Sequence, residues 1–494
     1  MTFYEKLEQH QQKLSKLAHL NAICGWDQAS MMPEGGSEAR SEAMAELAVM
    51  HHELATASHL AEWFAHAEAE SLTKEQVISL KEMKRSWQMS NLLPADLVEK
   101  QSLTGSKCEH AWRSQRTENN WHAFSKNLEK VVELSRQEAQ IRAEATGLSR
   151  YDALLDIYEP GMTTKELNKL FSDVKSWLPN LIQQVREKQN TEKVLTPVGP
   201  FPTEQQKSLS LEVMTKLGFD FKHGRLDVSV HPFCGGVPTD VRITTRYDEE
   251  DFTSALMGVI HETGHARYEQ GLPAQWRGLP VGEARSMGIH ESQSLFFEMQ
   301  LSRSEPFFDL LAPLASDAFE RRDDSALSSK NLTLLNTRVK PGYIRVDADE
   351  VTYPAHVILR YEIERDLIEG HIEVADIPEL WDKKMMEYLG LTTKCNYTDG
   401  CMQDIHWTDG SFGYFPSYTL GAMYAAQFMA AMRKEMNVEN LIRGRNLQPI
   451  FNWLDRHVWK KASTLSTDQL LIDATGERLN AEHFRTHLVE RYLK

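Results

Sequence analysis

Cysteine is scarce in this sequence. The chain of 494 residues holds five, and no two of them form a Cys-x-x-Cys pair. An odd number of scattered cysteines indicates neither a disulfide framework nor a zinc site built from thiolates. The five are Cys24, Cys108, Cys234, Cys395 and Cys401.

The sequence also has no apolar run that approaches the length of a membrane span. An apolar share of 41% and a mean hydropathy of −0.47 are typical of a soluble globular protein. The first residues, Met1 to Glu8, are charged and amphipathic, and no apolar stretch of the signal-peptide kind follows them. We therefore expect a cytoplasmic protein without a membrane partner.

Basic residues are too few to balance the acidic ones. The chain carries 55 lysines and arginines against 71 aspartates and glutamates, which gives a formal net charge of −16 at pH 7. Because phosphates would be repelled overall, this balance argues against nucleic acid as a partner. No internal repeat and no low-complexity tract is present.

The chain divides at a short proline-rich run. Residues 1–190 carry apolar residues at three- and four-residue spacing, which predicts an almost wholly helical region. The run Leu195–Pro202 holds three prolines and is the best candidate for a boundary between lobes. We therefore predict one domain, residues 1–494, in which 1–195 form a helical N-terminal lobe and 196–494 form a catalytic lobe.

Two irregular stretches interrupt the helical pattern after this boundary. Leu226 to Thr245 is rich in β-formers and predicts a small hairpin that carries His231 and Arg242. Such a sheet edge can bind a peptide backbone as an added strand, although an ordinary hairpin packed on helices fits equally well. The second stretch, residues 392–421, is a polar and aromatic loop of the kind that is usually functional. Its candidate residues are Asp399, Gln403, Asp404, His406, Trp407, Tyr414 and Tyr418.

The most informative motif is His261-Glu-x-x-His265. Residues four apart lie on one face of an α-helix, so both imidazoles can reach a single zinc ion. Glu262 projects beside that ion and can take the proton of a water that attacks a carbonyl, which is the chemistry of metallopeptidases. The pattern arises by chance in roughly one chain in twenty of this length. Its context is specific, since residues 251–270 predict a helix that Gly271 ends.

A catalytic zinc needs a third protein ligand. The metzincin pattern would place glycine and histidine where this chain has Tyr268 and Gly271, so that solution fails. A second predicted helix, residues 283–302, offers Glu283, Glu291 and Glu298. Spacing leaves all three open, and the apolar run that follows Glu291 favours it over Glu283.

An ordered set of motifs resembles the carboxypeptidase Taq family of zinc metallocarboxypeptidases over nearly the whole chain. The N-terminal Trp26-Asp-Gln28 and the segment 151–161 belong to the same likeness. The motifs are His231-Pro-Phe233, Asp240-x-Arg242-x-Thr244, His261-Glu-x-x-His265, His290-Glu-Ser-Gln293, Ile344-Arg-x-x-Ala-Asp349 and Gly400-x-x-Gln-Asp-x-His-Trp407.

The resemblance implies a mostly α, two-lobed fold, split by a deep groove that a small β-sheet lines, and a homodimer. It implies that His261, His265 and Glu291 hold Zn²⁺, which Co²⁺ can replace, and that Glu262 is the general base and acid. It also implies broad removal of C-terminal residues from peptides with a free C-terminus, generally sparing proline. The predicted substrate-binding residues are Arg345, His231, Arg242, His406, Tyr414 and Tyr418.

The role of Arg345 is the main hypothesis about specificity. A guanidinium matches a carboxylate bidentately, so Arg345, which Asp347 or Asp349 could orient, suits the substrate's terminal carboxylate, and Arg242 and His406 are rivals. An endopeptidase or an aminopeptidase on a similar zinc helix would lack this clamp. A zinc endo-oligopeptidase or a dipeptidase on the same scaffold is the alternative function. A scaffold that kept zinc for stability is disfavoured, because a structural ion has no need of Glu262.

Overall fold

The computed structural model describes all residues of the chain, from Met1 to Lys494. Twenty α-helices and one three-stranded sheet account for its regular structure, together with a π-helical segment and short 3-10 turns. The prediction of a mostly helical fold with a small sheet is confirmed. None of the helices combines the length and the apolarity needed to cross a bilayer. All five cysteines are free thiols.

The N-terminal part of the chain forms eight helices. Helices α1 and α4 each begin at a threonine whose hydroxyl accepts a backbone N–H of the first turn, while a side chain of that turn accepts the threonine N–H. These reciprocal bonds fix where each helix starts. The eight are α1 (Phe3–Ser30), α2 (Ser37–Ala55), α3 (Leu60–Ala67), α4 (Lys74–Asn91), α5 (Ala95–Thr117), α6 (Trp121–Thr146), α7 (Arg150–Tyr158) and α8 (Thr164–Gln189).

The sheet follows helix α9 (Thr203–Lys216). Its strands are β1 (Gly224–Val228), β2 (Phe233–Val237) and β3 (Asp240–Thr245), in the order β1-β3-β2. Strand β3 pairs with β1 in parallel and with β2 antiparallel, so β2 and β3 form the predicted hairpin. Because β2 is an outer strand, one of its edges has no strand partner.

The remaining helices carry most of the motifs. The predicted loop 392–421 ends earlier than expected, because Pro416 starts helix α16 and places Tyr418 in its first turn. The helices are α10 (Phe252–Gly271), α11 (Met287–Leu295), α12 (Glu305–Ala318), α13 (Ser329–Asn336), α14 (Tyr353–Glu369), α15 (Ile377–Leu389), α16 (Pro416–Glu435), α17 (Val438–Arg443), α18 (Gln448–His457), α19 (Thr467–Thr475) and α20 (Glu482–Leu493).

The second predicted metal-site helix, residues 283–302, begins four residues later than expected, at Met287, and changes from α to π geometry at Phe296. Pro280–Gly282 forms a 3-10 turn, and the side chain of Ser286 caps α11, which begins at Met287. Residues Phe296–Ser302 continue α11 as a π-helix. Glu283 therefore lies before the helix.

Three apolar cores hold the elements together, and the smallest packs strands β1 and β3 against helix α10. A small core lies between helices α1, α3 and α4 and includes Leu7, Phe64 and Met83. Leu279 and Val281, just before α11, also belong to it. The main core, 87 buried residues, joins helices α5 to α8 to the rest of the chain. The main core therefore contains residues from both sides of residue 195, and the division of the chain into two lobes at that residue stays a prediction.

Candidate active site

Helix α10 presents the His-Glu-x-x-His motif to a cavity. The carboxylate of Asp251 accepts two backbone N–H groups of the first turn and fixes the start of the helix. Most of the remaining positions are buried in the cores, including Val259 and Ile260. The side chains left on the cavity wall are His261, Glu262, His265 and Glu269.

Two glycines let the neighbouring helices approach α10 and α11. A Cβ at Gly264 of α10 would lie 2.4 Å from the carbonyl oxygen of Gln293, and one at Gly421 of α16 would lie 2.7 Å from Cγ of Glu291. A side chain at either position would push the helices apart, so glycine permits their contact. This contact brings Glu291 of α11 to the two histidines.

Three ligand atoms meet at this point. His261 Nε2 lies 4.0 Å from Glu291 Oε1, and His265 Nε2 lies 3.5 Å from Glu291 Oε2. The ligand atoms of all three residues lie within 4.8 Å of one another. Two imidazole nitrogens and one carboxylate oxygen make the donor set of a catalytic zinc site, which keeps a fourth position open. The residues present therefore fit a zinc-like divalent metal.

A buried carboxylate supports His261 from behind. Nδ1–H of His261 donates to Glu298 Oε2 over 2.9 Å, and Glu298 Oε1 accepts from Arg303 Nη2 over 2.8 Å. Burial lowers the pKa of His261, but the bond to Glu298 and the charge of Glu291 outweigh it and raise the pKa to about 10. The same negative potential attracts a cation to the cluster.

A second imidazole supports His265. Its Nδ1 lies 2.6 Å from His290 Nδ1, and His290 Nε2 lies 2.7 Å from Glu269 Oε1. Because a carboxylate only accepts, His290 donates Nε2–H to Glu269, and its Nδ1 then accepts the proton of His265 Nδ1. Burial lowers the pKa of His265 to about 4. The ring is therefore neutral, with Nε2 free to bind a metal.

Glu262 shares the cavity with this cluster but is not part of it. Burial raises the pKa of Glu262 to about 7, although His261 opposes the shift. A carboxylate with a raised pKa can both accept and return a proton near neutral pH. Glu262 therefore lies on the cavity wall with a pKa suited to proton transfer.

The cavity measures about 910 Å³. Phe233, Cys234 and Val237 of strand β2 lie on its wall, as do Ser15 and His19 of helix α1. Strand β2 therefore lines the same cavity as His261, His265 and Glu291. A cavity of this size holds several residues of an extended peptide.

Arg345 is buried beside the cavity and does not line it. Nε donates to Asp404 Oδ1 over 2.9 Å, and Nη1 donates to the hydroxyl of Tyr353 over 2.7 Å. The prediction that Asp347 or Asp349 orients Arg345 is therefore wrong, because Asp404, which also binds Arg360, takes that position.

Tyr418 separates Arg345 from the cavity. Its ring centre lies 4.9 Å from Cζ of the arginine, and both Tyr418 and Tyr414 are on the cavity wall. His406 Nε2 lies 3.1 Å from the Tyr418 hydroxyl. Burial and the charge of Arg345 lower the pKa of His406 to about 4, so this ring is neutral.

The other two predicted substrate-binding residues lie outside this wall. Arg242 donates from Nε and Nη2 to the carboxylate of Asp240, each over 2.9 Å, and packs over the ring of Trp26. His231 is exposed and does not line the cavity. The structure thus places Tyr414 and Tyr418 on the cavity wall with the cluster, has His406 in contact with Tyr418, and leaves Arg242 and His231 apart from it.

Sequence analysis considered Glu298 only as a possible third ligand and did not consider Glu269, whereas the structure places both carboxylates behind the histidines. Glu298 follows Glu291 by seven residues, two helical turns, and Glu269 follows His265 by four. Both spacings place a carboxylate on the same face as a ligand. That periodicity could have identified them as supports, whereas the pairing of Arg345 with Asp404 has no such signal.

The comparison with known protein families agrees with this geometry. The model described as carboxypeptidase Taq (M32) metallopeptidase matches residues 6–492. The chain belongs to this family. It is therefore a metallocarboxypeptidase, a metal-dependent hydrolase of peptide bonds.

Relatives resemble the M32 chain over its whole length. Thermostable carboxypeptidase 1 of Thermus thermophilus is 35% identical over 99% of this chain and 98% of its own. Carboxypeptidase 1 of Bacillus subtilis is 35% identical over 97% and 96%. The solved structure of Trypanosoma cruzi metallocarboxypeptidase 1 is 46% identical, with a TM-score of 0.98 over 100% of this chain and 99% of that one. The M32 carboxypeptidase from Deinococcus radiodurans is 30% identical, with a TM-score of 0.95 over 100% of both chains.

Proposed function

We propose that this M32 enzyme is a zinc-dependent carboxypeptidase of broad specificity in which Glu262 is the general base. The observation that carries the proposal is the convergence of His261, His265 and Glu291, whose ligand atoms lie within 4.8 Å of one another. Glu262 lies on the same helix and faces the same cavity. A structural ion would take a fourth protein ligand and would not need this carboxylate. The same donor set accepts Co²⁺ in place of Zn²⁺.

When bound, zinc supplies Lewis acidity to the scissile carbonyl and acidifies the water that attacks it. Glu262 accepts the proton of that water and returns it to the departing amine. Burial, which keeps the pKa of Glu262 near 7, supports both halves of this transfer. Glu298 and His290 hold the two imidazoles in the orientation and tautomer that ligation requires.

Arg345 is our candidate for the residue that binds the terminal carboxylate of the substrate. Its Nε and Nη1 are held by Asp404 and Tyr353, whereas its Nη2 is neither hydrogen-bonded nor fully buried. The guanidinium of Arg242 already forms a bidentate pair with the carboxylate of Asp240. A carboxylate that passes beside Tyr418 would meet the free side of Arg345, and Tyr414 and His406 would line its path.

Two further proposals concern how the peptide substrate binds and how the protein assembles. The free edge of β2 can pair with the backbone of an extended peptide, which would align it along the cavity. We also propose a homodimer that acts in the cytoplasm, where five free thiols are stable.

The test compares peptides with a free C-terminus and the same peptides amidated, each with and without a chelator. We expect release of C-terminal residues from the free acids alone, broad in side chain but blocked by terminal proline, and lost on chelation. Cleavage of amidated peptides at the same rate would contradict carboxypeptidase specificity and favour an endo-oligopeptidase. Cleavage of dipeptides alone would favour a dipeptidase.

A further inference from the structure

Helix α11 and its π-helical continuation carry the supports of both metal-binding histidines. The segment runs from Met287 to Ser302. It contributes the ligand Glu291, the carboxylate Glu298 behind His261 and the imidazole of His290 behind His265. Any shift or fraying of this one segment would therefore move several parts of the site together.

A buried carboxylate from the N-terminal part of the chain holds the beginning of this segment. Glu159, which directly follows α7, is 1% exposed. Its Oε1 accepts the backbone N–H of Gly288, and its Oε2 lies 3.5 Å from the hydroxyl of Tyr424. A Cβ at Gly288 would lie 2.5 Å from Glu159 Oε1, so glycine admits the carboxylate to the backbone.

A buried guanidinium from the last helix holds the other end. Arg491 of α20 donates from Nη1 to the carbonyl oxygen of Met299 and from Nη2 to that of Gln300, the latter over 3.2 Å. Its Nη1 also donates to Glu350 Oε2 over 3.1 Å. The side chain is 10% exposed. Carbonyl groups at the end of a helical segment lack backbone partners, so Arg491 satisfies groups that would otherwise be buried and unpaired.

The signs of the two charges match the dipole of the segment. Backbone N–H groups give the beginning of a helix a partial positive charge, and carbonyl groups give its end a partial negative charge. A carboxylate at the first end and a guanidinium at the second both stabilise the helical arrangement. Neither residue is hydrogen-bonded to His261, His265 or Glu291, and each contacts the segment through hydrogen bonds to its backbone.

We propose that Glu159 and Arg491 are positioning residues for the metal centre and that they act by holding the two ends of the segment 287–302. This inference rests on the proposed function, since it assumes that zinc binds at Glu291. It links residues that are 332 positions apart in the chain to one property, the affinity for the metal.

The experiment measures zinc dissociation constants by competition with a chelator at pH 8 for the full-length wild type, Glu159→Gln, Arg491→Gln and the double variant. Burial raises the pKa of Glu159 to about 7, so its carboxyl is ionised at pH 8. Loss of outer partners typically weakens metal binding 10- to 100-fold, and we expect about 10-fold for each single variant. The sites are distant, so the factors should multiply to about 100-fold in the double variant. Arg491→Lys, which keeps the charge, should recover part of the loss.

A buried control and a surface control separate positioning from general destabilisation. Glu362 is a buried carboxylate on α14 that binds Lys175 and Lys384. Glu362→Gln should lower the Tm without changing the zinc affinity. Arg485 of α20 packs over Trp177, and Arg485→Gln should leave the affinity unchanged.

The possible outcomes are distinguishable. Wild-type zinc affinity in Glu159→Gln and Arg491→Gln would overturn the inference, and so would an equal loss of affinity in Glu362→Gln. Either result would leave the proposed function intact if the wild type binds zinc and cleaves free-acid peptides. A wild type that binds no zinc would overturn both.

Discussion

The two histidines that we propose as metal ligands lie on one helix but are supported in different ways. Behind His261 lies a carboxylate, Glu298, that is paired with Arg303. Behind His265 lies a neutral imidazole, His290, and only then a carboxylate, Glu269. One ring is therefore held by a charge and the other by a dipole. Both supports engage Nδ1 and leave Nε2 toward Glu291.

The difference shows how the site limits its negative charge. Four carboxylates already line the cavity, those of Glu262, Glu269, Glu283 and Glu291, so a carboxylate placed directly behind each histidine would add repulsion. On the His261 side Arg303 offsets the charge of Glu298. On the His265 side the imidazole relay keeps the carboxylate one residue further away. The pKa values follow this arrangement, since that of His261 is raised to about 10 and that of His265 is lowered to about 4.

The largest effect on metal binding should come from Glu291, the proposed ligand that lies beside both histidines. Glu291→Ala removes a metal bond, whereas Glu298→Ala removes a support, so we expect the first to weaken zinc binding by more than about 100-fold and the second by about 10- to 100-fold. Zinc content after dialysis against a defined chelator measures both. Equal losses would mean that Glu291 is not a ligand.

A substitution away from the metal tests whether binding of the peptide end is separate from the metal centre. Arg345→Ala should lower kcat/KM for free-acid peptides by about 2 to 4 kcal/mol of transition-state binding and leave the zinc content unchanged. Arg345→Lys should restore only part of the rate, because lysine lacks the planar fork. Arg242→Ala is the rival test. If it produces the larger loss, the clamp belongs to Arg242.

The smallest expected effect is the difference in zinc affinity between variants of the two supporting residues, Glu298 and His290. Glu298→Gln leaves Arg303 without its partner and removes a charge, whereas His290→Gln replaces one neutral group by another. We expect zinc affinity to fall further in Glu298→Gln, by up to about 100-fold, than in His290→Gln, at about 10-fold. Isothermal titration of zinc into both metal-free variants measures the difference. A larger loss in His290→Gln would contradict the comparison.

The sequence predicts the ligand-bearing helix and the fold class because both depend on periodicity. Four-residue spacing places His261 and His265 on one face, and Asp251 marks the start of their helix as expected. The later start of the second helix, at Met287, was not predictable, since the 3-10 turn before it depends on packing against the N-terminal helices.

The incorrect prediction of which aspartate pairs with Arg345 has a different cause. Asp347 and Asp349 are close in sequence, but the 3-10 turn Arg345–Asp347 and the helix-start bonds of Asp349 direct their carboxylates elsewhere. Asp404 lies 59 residues away, in the polar loop before α16. A contact of that range follows from the tertiary fold and leaves no mark in local spacing.

The most direct test of the catalytic assignment is Glu262→Gln, measured for zinc content and for turnover of free-acid peptides in the same preparation. The amide keeps the shape of the side chain but cannot accept a proton. We predict full zinc content and a kcat lower by about 100- to 10,000-fold, the usual range for loss of a general base. Loss of zinc from this variant, or turnover at the wild-type rate with zinc retained, would contradict the assignment.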